Sequence, residues 1–428
     1  MLQNSKMGRA MATAGSCALI LVIVLLQLLN SAQLGVARTV AGDVEALKAI
    51  KDSVDANSIK AGSCLGSWNF SVDPCDYAFG ELFTCGLRCD GERVTEVTLD
   101  DSGYNGTLPP AIAQLSALQI LDLTNNAFHG PIPHTIGNLT DLVRLLVSHN
   151  SFSGNIPASL SSLSNLQQLS LDDNSLEGPI PATFNNLTSL VRLELNGNNL
   201  SDRFPMLSAL GKLNFLDVSD NQLSGPILAV VPPSLVQLSL RNNGLSGELR
   251  LNLAGMSMLQ VLDLSHNKLS GPLPSGLFDH PALEQLTLSY NRFTSLQVPG
   301  SYGTDSQLIA VDLSYNRIHG PLPVFMATMP SLSALSLQYN YFTGIIPLQY
   351  AKRVSASLAG KEPLVRLFLA GNFLFGEIPT PFMNLSTQEV NVSFGDNCLL
   401  DCPKSLFFCQ GGDQKAASTC RAFTRLRF

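Results

Sequence analysis

Charge is scarce in this chain. Only 14% of its 428 residues are charged, against about 25% in ordinary soluble domains. Positive charge is scarcer still: 26 Lys and Arg against 33 Asp and Glu give a formal net charge of −7. That balance excludes a nucleic-acid partner, because displacing counterions from a phosphate backbone requires a concentrated cationic surface. Disorder is excluded on other grounds, since 45% hydrophobic residues are too many for an unfolded chain. Catalytic signatures are absent as well. No GxSxG, Walker-type loop, HExxH or GxGxxG occurs, and the six histidines are scattered. Adjacent carboxylates such as Asp172 and Asp173 are expected to face opposite ways or to sit at a bend. The expectation is a non-enzyme with no metal and no cofactor.

Long apolar runs are also lacking, apart from residues 18–29 (ALILVIVLLQLL). Lys6 and Arg9 precede that run, and no acidic residue occurs before Asp43. At about 1.5 Å per residue, such a run is too short to cross a ~30 Å hydrocarbon core. Residues 1–37 therefore read as a secretory signal cleaved near Ala37. The alternative is an uncleaved segment that keeps the protein membrane-associated. The chain ends RAFTRLRF without an apolar anchor tail, so release after export is expected.

Cysteine is missing from the whole stretch between Cys89 and Cys398. Apart from Cys17 in the signal, the cysteines fall into two groups of four: Cys64, Cys75, Cys85 and Cys89, then Cys398, Cys402, Cys409 and Cys420. Even numbers in an exported chain read as disulfides, and each group leaves three pairings open. The Cys-x3-Cys spacings would also suit zinc, but no His lies near either group. Glycosylation sequons begin at Asn69, Asn105, Asn138, Asn186, Asn199, Asn384 and Asn391.

What the chain has in abundance is leucine, at regular spacing. Leu118-x-x-Leu121-x-Leu123-x-x-Asn126 returns at Leu142, Leu145, Val147 and Asn150, then at Leu166, Leu169, Leu171 and Asn174. The closing Asn recurs through positions 198, 221, 243, 267, 291, 316, 340, 372 and 397, with Ser102 in its place in a degenerate first unit. That makes about 13 repeats, over 94–397. Residues two apart on a strand share a face, so Leu121 and Leu123 point inward together. No unit can bury that face alone, and neighbours must stack into one core. The Asn ends the strand, where its amide can satisfy backbone groups in a buried bend.

Most units continue to a Gly-x-Ile/Leu-Pro segment, as in Gly130-Pro-Ile-Pro133, Gly154-Asn-Ile-Pro157 and Gly178-Pro-Ile-Pro181. This resembles the plant-type extracellular leucine-rich-repeat proteins: receptor-like proteins, receptor-kinase ectodomains and polygalacturonase inhibitors. Asp43 to Lys51, Trp68 and Asp73-Pro74-Cys75 resemble their N-terminal cap. The resemblance implies an α/β repeat fold. It would be a solenoid with a parallel concave β-sheet, an irregular or 3-10 convex side, and disulfide-bearing caps at 38–93 and 398–428. The Gly-x-Ile-Pro segment is broken after Asn198, Asn221, Asn243 and Asn291, where the convex side should be irregular. The unit from Asn340 to Asn372 is 32 residues long, and Lys352, Arg353 and Lys361 lie in its extra stretch. It reads as a recognition loop or as a tolerated surface insertion.

Two patches are expected on the concave face. Arg144, Arg192, Glu194, Asp172 and Asp173 form a mixed-charge area, with Phe215 adding an apolar spot. Tyr290, Tyr315 and Tyr339 occupy one column in successive units, with Phe368 one unit further on. Rigid aromatics with a polar tip suit recognition, although stacked tyrosines also simply pack together. The resemblance implies a secreted binding module of the cell wall space, receptor-like or co-receptor-like. Its partner would be an extracellular protein, peptide or wall polysaccharide, with a membrane receptor kinase as a further partner. The alternatives are an inhibitor of a secreted wall-degrading enzyme such as polygalacturonase, and a truncated receptor-kinase ectodomain.

Overall fold

The computed structural model describes residues 38–76, 85–227, 231–355, 361–386, 390–410 and 412–425. The signal segment 1–37 lies outside the described residues. The leucine spacing becomes a row of short strands. Ile120–Asp122, Arg144–Leu146 and Gln168–Ser170 pair in parallel with equivalent residues opposed, Leu121 to Leu145 and Leu145 to Leu169. The result is a 14-stranded sheet that runs in parallel from Arg93–Thr98 to Asn391–Ser393. Leu87–Asp90 is added antiparallel at its N-terminal edge. The inward leucines, such as Leu121, Leu123, Leu169 and Leu171, are completely buried in one core that is continuous from Ala46 to Cys409.

Hydrogen bonding locks each bend in the same way. At Asn267 the amide nitrogen donates to Leu264 O (3.2 Å) and Ser265 O (3.1 Å) in its own turn, and to Leu240 O (2.9 Å) in the preceding repeat. Its carbonyl accepts from Leu245 N at 3.0 Å. One side chain thus ties two repeats together and satisfies four backbone groups that water cannot reach.

Beyond the Asn the chain forms lateral strands and then the convex side. Pro133, Pro157 and Pro181 precede the 3-10 turns His134–Asn138, Ala158–Ser162 and Ala182–Asn186. Proline's fixed φ and missing N–H suit the entry to a helical turn. Where the Gly-x-Ile-Pro segment is broken after Asn198 and Asn291, no such turn follows, and the lateral sheet is interrupted there.

The four pairings left open by sequence are Cys64–Cys85, Cys75–Cys89, Cys398–Cys420 and Cys402–Cys409. In the N-terminal cap the helix Ala41–Asp52 buries Ala46, Leu47 and Ile50. Its buried Asp43 receives both Nε and an Nη of Arg93 at 3.1 Å and Val94 N at 2.8 Å. The Asn of each of the seven sequons is exposed. Among the described residues no helix is long and apolar enough to cross a membrane.

The long unit corrects a sequence expectation. Its extra stretch begins with the helix Leu348–Ser355, and Arg353 points inward at 1% exposure instead of toward solvent. The Arg353 guanidinium donates to the carbonyls of Ala327 (3.2 Å), Met329 (2.6 Å), Leu332 (2.8 Å) and Glu362 (2.6 Å). Tyr350, also fully buried, donates to Pro323 O at 2.7 Å. Arg353 is therefore a clamp that seats the insertion on the previous repeat. Lys352 remains exposed and Lys361 is half-buried.

Candidate binding site on the concave face

The position just before each Asn has a left-handed backbone. Other repeats place Asn125, Asp173, Gly197, Asp220, Asn242 and Gly371 there, residue types that tolerate φ near +60°. His266, Tyr290, Tyr315 and Tyr339 take the same position with φ of 54°, 54°, 53° and 53°. A bulky side chain in that region costs on the order of 1 kcal/mol, and such strain concentrates at functional sites. The four rings stack face to face, with centroids 4.2, 4.1 and 4.4 Å apart in chain order. Gly371 closes the row, since a Cβ there would lie 2.4 Å from the Tyr339 ring. Stacking occupies the ring faces between neighbours and leaves edges and phenol groups for a ligand. Partial burial and the flanking Tyr290 and Tyr339 phenols push the Tyr315 pKa up to about 12, so the Tyr315 phenol is neutral at physiological pH.

Beside the ladder, in the same repeats, lies a shallow trough of about 280 Å³. Ala310, Ala334 and Ser336 provide small side chains along it, Gln285 and Thr287 line one end, and Arg366 and Phe368 the other. Phe368 thus belongs to the trough and not to the tyrosine column. Among the described residues the Ser336 hydroxyl is buried there without a hydrogen-bond partner. The strand spacing puts Ser336 and Arg366 on the concave face but does not single them out, because a hydroxyl's lack of a partner is invisible in a repeat pattern.

The early charged patch is self-satisfied. Arg192 donates to Glu194 at 2.5 Å and lies over the Phe215 ring at 3.5 Å, while Ser170 Oγ donates to Glu194 at 2.7 Å. Burial alone would raise the Glu194 pKa, but the hydrogen bonds from Arg192 and Ser170 and the Arg192 charge leave it lowered. Arg144 is exposed on the neighbouring strand surface. Asp172 and Asp173 sit at a bend, one of the two arrangements expected of them. The left-handed bend at Asp173 brings both toward His149 of the preceding repeat, at 3.9 and 3.2 Å, and ligand-type atoms of the three lie within 4.8 Å of one another.

Burial raises the Asp172 pKa above its ordinary 3.8, and the Ser148 hydrogen bond only partly offsets this. Because the folded value exceeds the unfolded one, the ionised carboxylate opposes folding above the folded pKa. The penalty vanishes below the unfolded value. Asp172→Asn should therefore raise the melting temperature at pH 7, and the gain should shrink to nothing as the pH falls below 3.8. Thermal unfolding across pH checks this; a variant that gains stability only in acid would contradict it.

A family model described as a leucine-rich repeat region matches residues 98–344. The chain belongs to the leucine-rich repeat family. A probable leucine-rich repeat receptor-like serine/threonine-protein kinase of Arabidopsis thaliana is 34% identical over 91 residues, which cover 18% of this chain and 9% of that protein. Among solved structures, the plant peptide hormone receptor RGFR1 in complex with RGF2 is 29% identical with a TM-score of 0.61. The match covers 72% of this chain and 53% of that one. A TDR receptor is 28% identical with a TM-score of 0.60, over 69% of this chain and 50% of that one. This leucine-rich repeat chain thus spans about half the length of the solved receptors it resembles.

Proposed function

We propose that this leucine-rich repeat protein is an extracellular binding module that recognises an extended peptide along its concave face, over the ladder and trough. The observation that carries this reading is the row of three tyrosines held in a backbone conformation that other repeats give to Asn, Asp, Gly or His. The orphan Ser336 hydroxyl beside it adds a second polar anchor. Likeness to a receptor described with a peptide hormone supports a peptide as the ligand. Disulfides near both ends and exposed sequons support an extracellular setting. A membrane receptor kinase suits such a module as partner. Wall polysaccharide suits the ladder less well, because sugar rings pack on open aromatic faces and these are taken up by stacking.

The test separates binding from folding. In the variant Tyr290→Asn/Tyr315→Asn/Tyr339→Asn, relief of left-handed strain offsets the lost stacking, each being about 1 kcal/mol per residue. The melting temperature should therefore hardly move. Peptides selected on the glycosylated wild-type protein from a random displayed library should lose affinity for the variant by about tenfold or more. Retained affinity, or failure to select any peptide, would overturn the reading.

A further inference from the structure

Each ring of the ladder is followed two residues later by a side chain on, or just before, a lateral strand. After His266, Tyr290 and Tyr315 these are Lys268, Arg292 and Arg317, all exposed. After Tyr339 comes Tyr341, which is 38% exposed. One cation per repeat thus runs alongside the aromatic row for three successive repeats. None of the three has a carboxylate within 4.0 Å among the described residues.

Charge is segregated across the ladder. The lateral strands Lys268–Leu273, Arg292–Leu296, His319–Pro321 and Tyr341–Gly344 contain no Asp or Glu. Of the carboxylates in these repeats, Asp279 and Asp305 lie in the segments beyond the lateral strands, and Asp263 and Asp312 lie on the concave strands, where they are already engaged. Asp263 accepts from Ser265 N at 2.9 Å, and Asp312 accepts from Ser314 N at 2.9 Å. A protein of net charge −7 therefore keeps an uncompensated cationic edge beside its candidate binding site. Exposed like charges in a row repel one another, so the arrangement adds nothing to folding.

We infer that Lys268, Arg292 and Arg317 form a docking edge for acidic side chains of the bound peptide. The inference rests on the peptide-binding reading and deepens it by assigning the ligand's charge. An extended acidic segment lying along the ladder places carboxylates against the cations, while its backbone meets the phenol groups and the trough. The cations steer approach and fix orientation, which is what rim charges do most effectively. The wider negative field of the protein rejects acidic chains elsewhere on its surface.

The experiment uses the mature protein and a fluorescent alternating Glu-Gly peptide, with Gln-Gly and Lys-Gly peptides as controls and polygalacturonate as a separate arm. The Glu-Gly peptide should bind about tenfold or more tightly than the Gln-Gly peptide at low ionic strength, and salt should weaken it. Lys268→Glu/Arg292→Glu/Arg317→Glu should abolish that preference. The charge-matched Arg203→Glu/Lys212→Glu/Lys352→Glu should keep it. Equal binding of the Glu-Gly and Gln-Gly peptides, or a preference that survives in the first variant, would overturn the inference. Binding of polygalacturonate without the Glu-Gly peptide would overturn it too. Library-selected peptides that depend on the tyrosines but carry no acidic bias would overturn this inference and leave the peptide-binding reading standing.

Discussion

Asn267→Leu is expected to destabilise the protein by on the order of 3 kcal/mol, because a buried N–H loses its side-chain acceptor while three buried carbonyls each lose one of two donors. Leu245 N loses the Asn267 amide oxygen, whereas Leu240 O keeps Asn243 Nδ2, Leu264 O keeps Asn291 Nδ2 and Ser265 O keeps Asn242 N. A stranded N–H costs roughly 1–3 kcal/mol and each lost second bond about 0.5–1 kcal/mol, with partial relief from relaxation at the bend. Apolar burial gained by the leucine is small, since the space was already filled by an amide of similar size. Two of the lost bonds cross to the preceding repeat, so coupling between neighbours falls as well as local stability. The melting temperature should drop by roughly 3–6 °C. Lys212→Leu, at an exposed site, should shift it far less. An unchanged melting temperature in Asn267→Leu would refute the role assigned to the asparagine.

Arg353→Met should cost about 3 kcal/mol, which is typical of breaking a buried charged hydrogen-bond network. Four carbonyls, those of Ala327, Met329, Leu332 and Glu362, converge on one guanidinium. Burial lowers the Arg353 pKa, with Glu362 opposing the shift, so the site holds its cation against a desolvation cost. Methionine fills the volume but donates nothing. Arg353→Lys should recover only part of the loss, since one ammonium cannot match a planar fork that reaches four acceptors. Damage should be local because repeats contact only their neighbours. Hydrogen exchange should therefore accelerate in residues 324–337, 348–355 and 361–370 before the N-terminal repeats respond. Uniform acceleration along the whole solenoid would contradict the local clamp.

Repetition explains how much was legible. Leu121, Leu145 and Leu169 lie opposite one another because one local rule, written many times, has a single stacked solution. Of the four breaks in the Gly-x-Ile-Pro segment, those after Asn198 and Asn291 coincide with interruptions of the lateral sheet, which runs on through the units after Asn221 and Asn243. Arg353 was not legible in that way. A cation in an insertion reads as surface until the carbonyls of another repeat are found around it. Arg192 and Glu194 were correctly placed on the concave face, but their mutual ion pair and the Phe215 stack depend on rotamers that no spacing specifies.

By itself, the sequence determined the repeat, the inward face, the role of the closing asparagines and the grouping of cysteines at the two ends. Each of these follows from short-range periodicity and from the requirement to bury apolar surface and satisfy the backbone. Only the tertiary structure decided the disulfide pairings, the inward turn of Arg353, the convergence of Asp172 and Asp173 on His149, and the unpartnered hydroxyl of Ser336. Those depend on groups meeting in space at separations, such as 7 residues in Cys402–Cys409 and 24 between Arg353 and Met329, that no repeat pattern specifies.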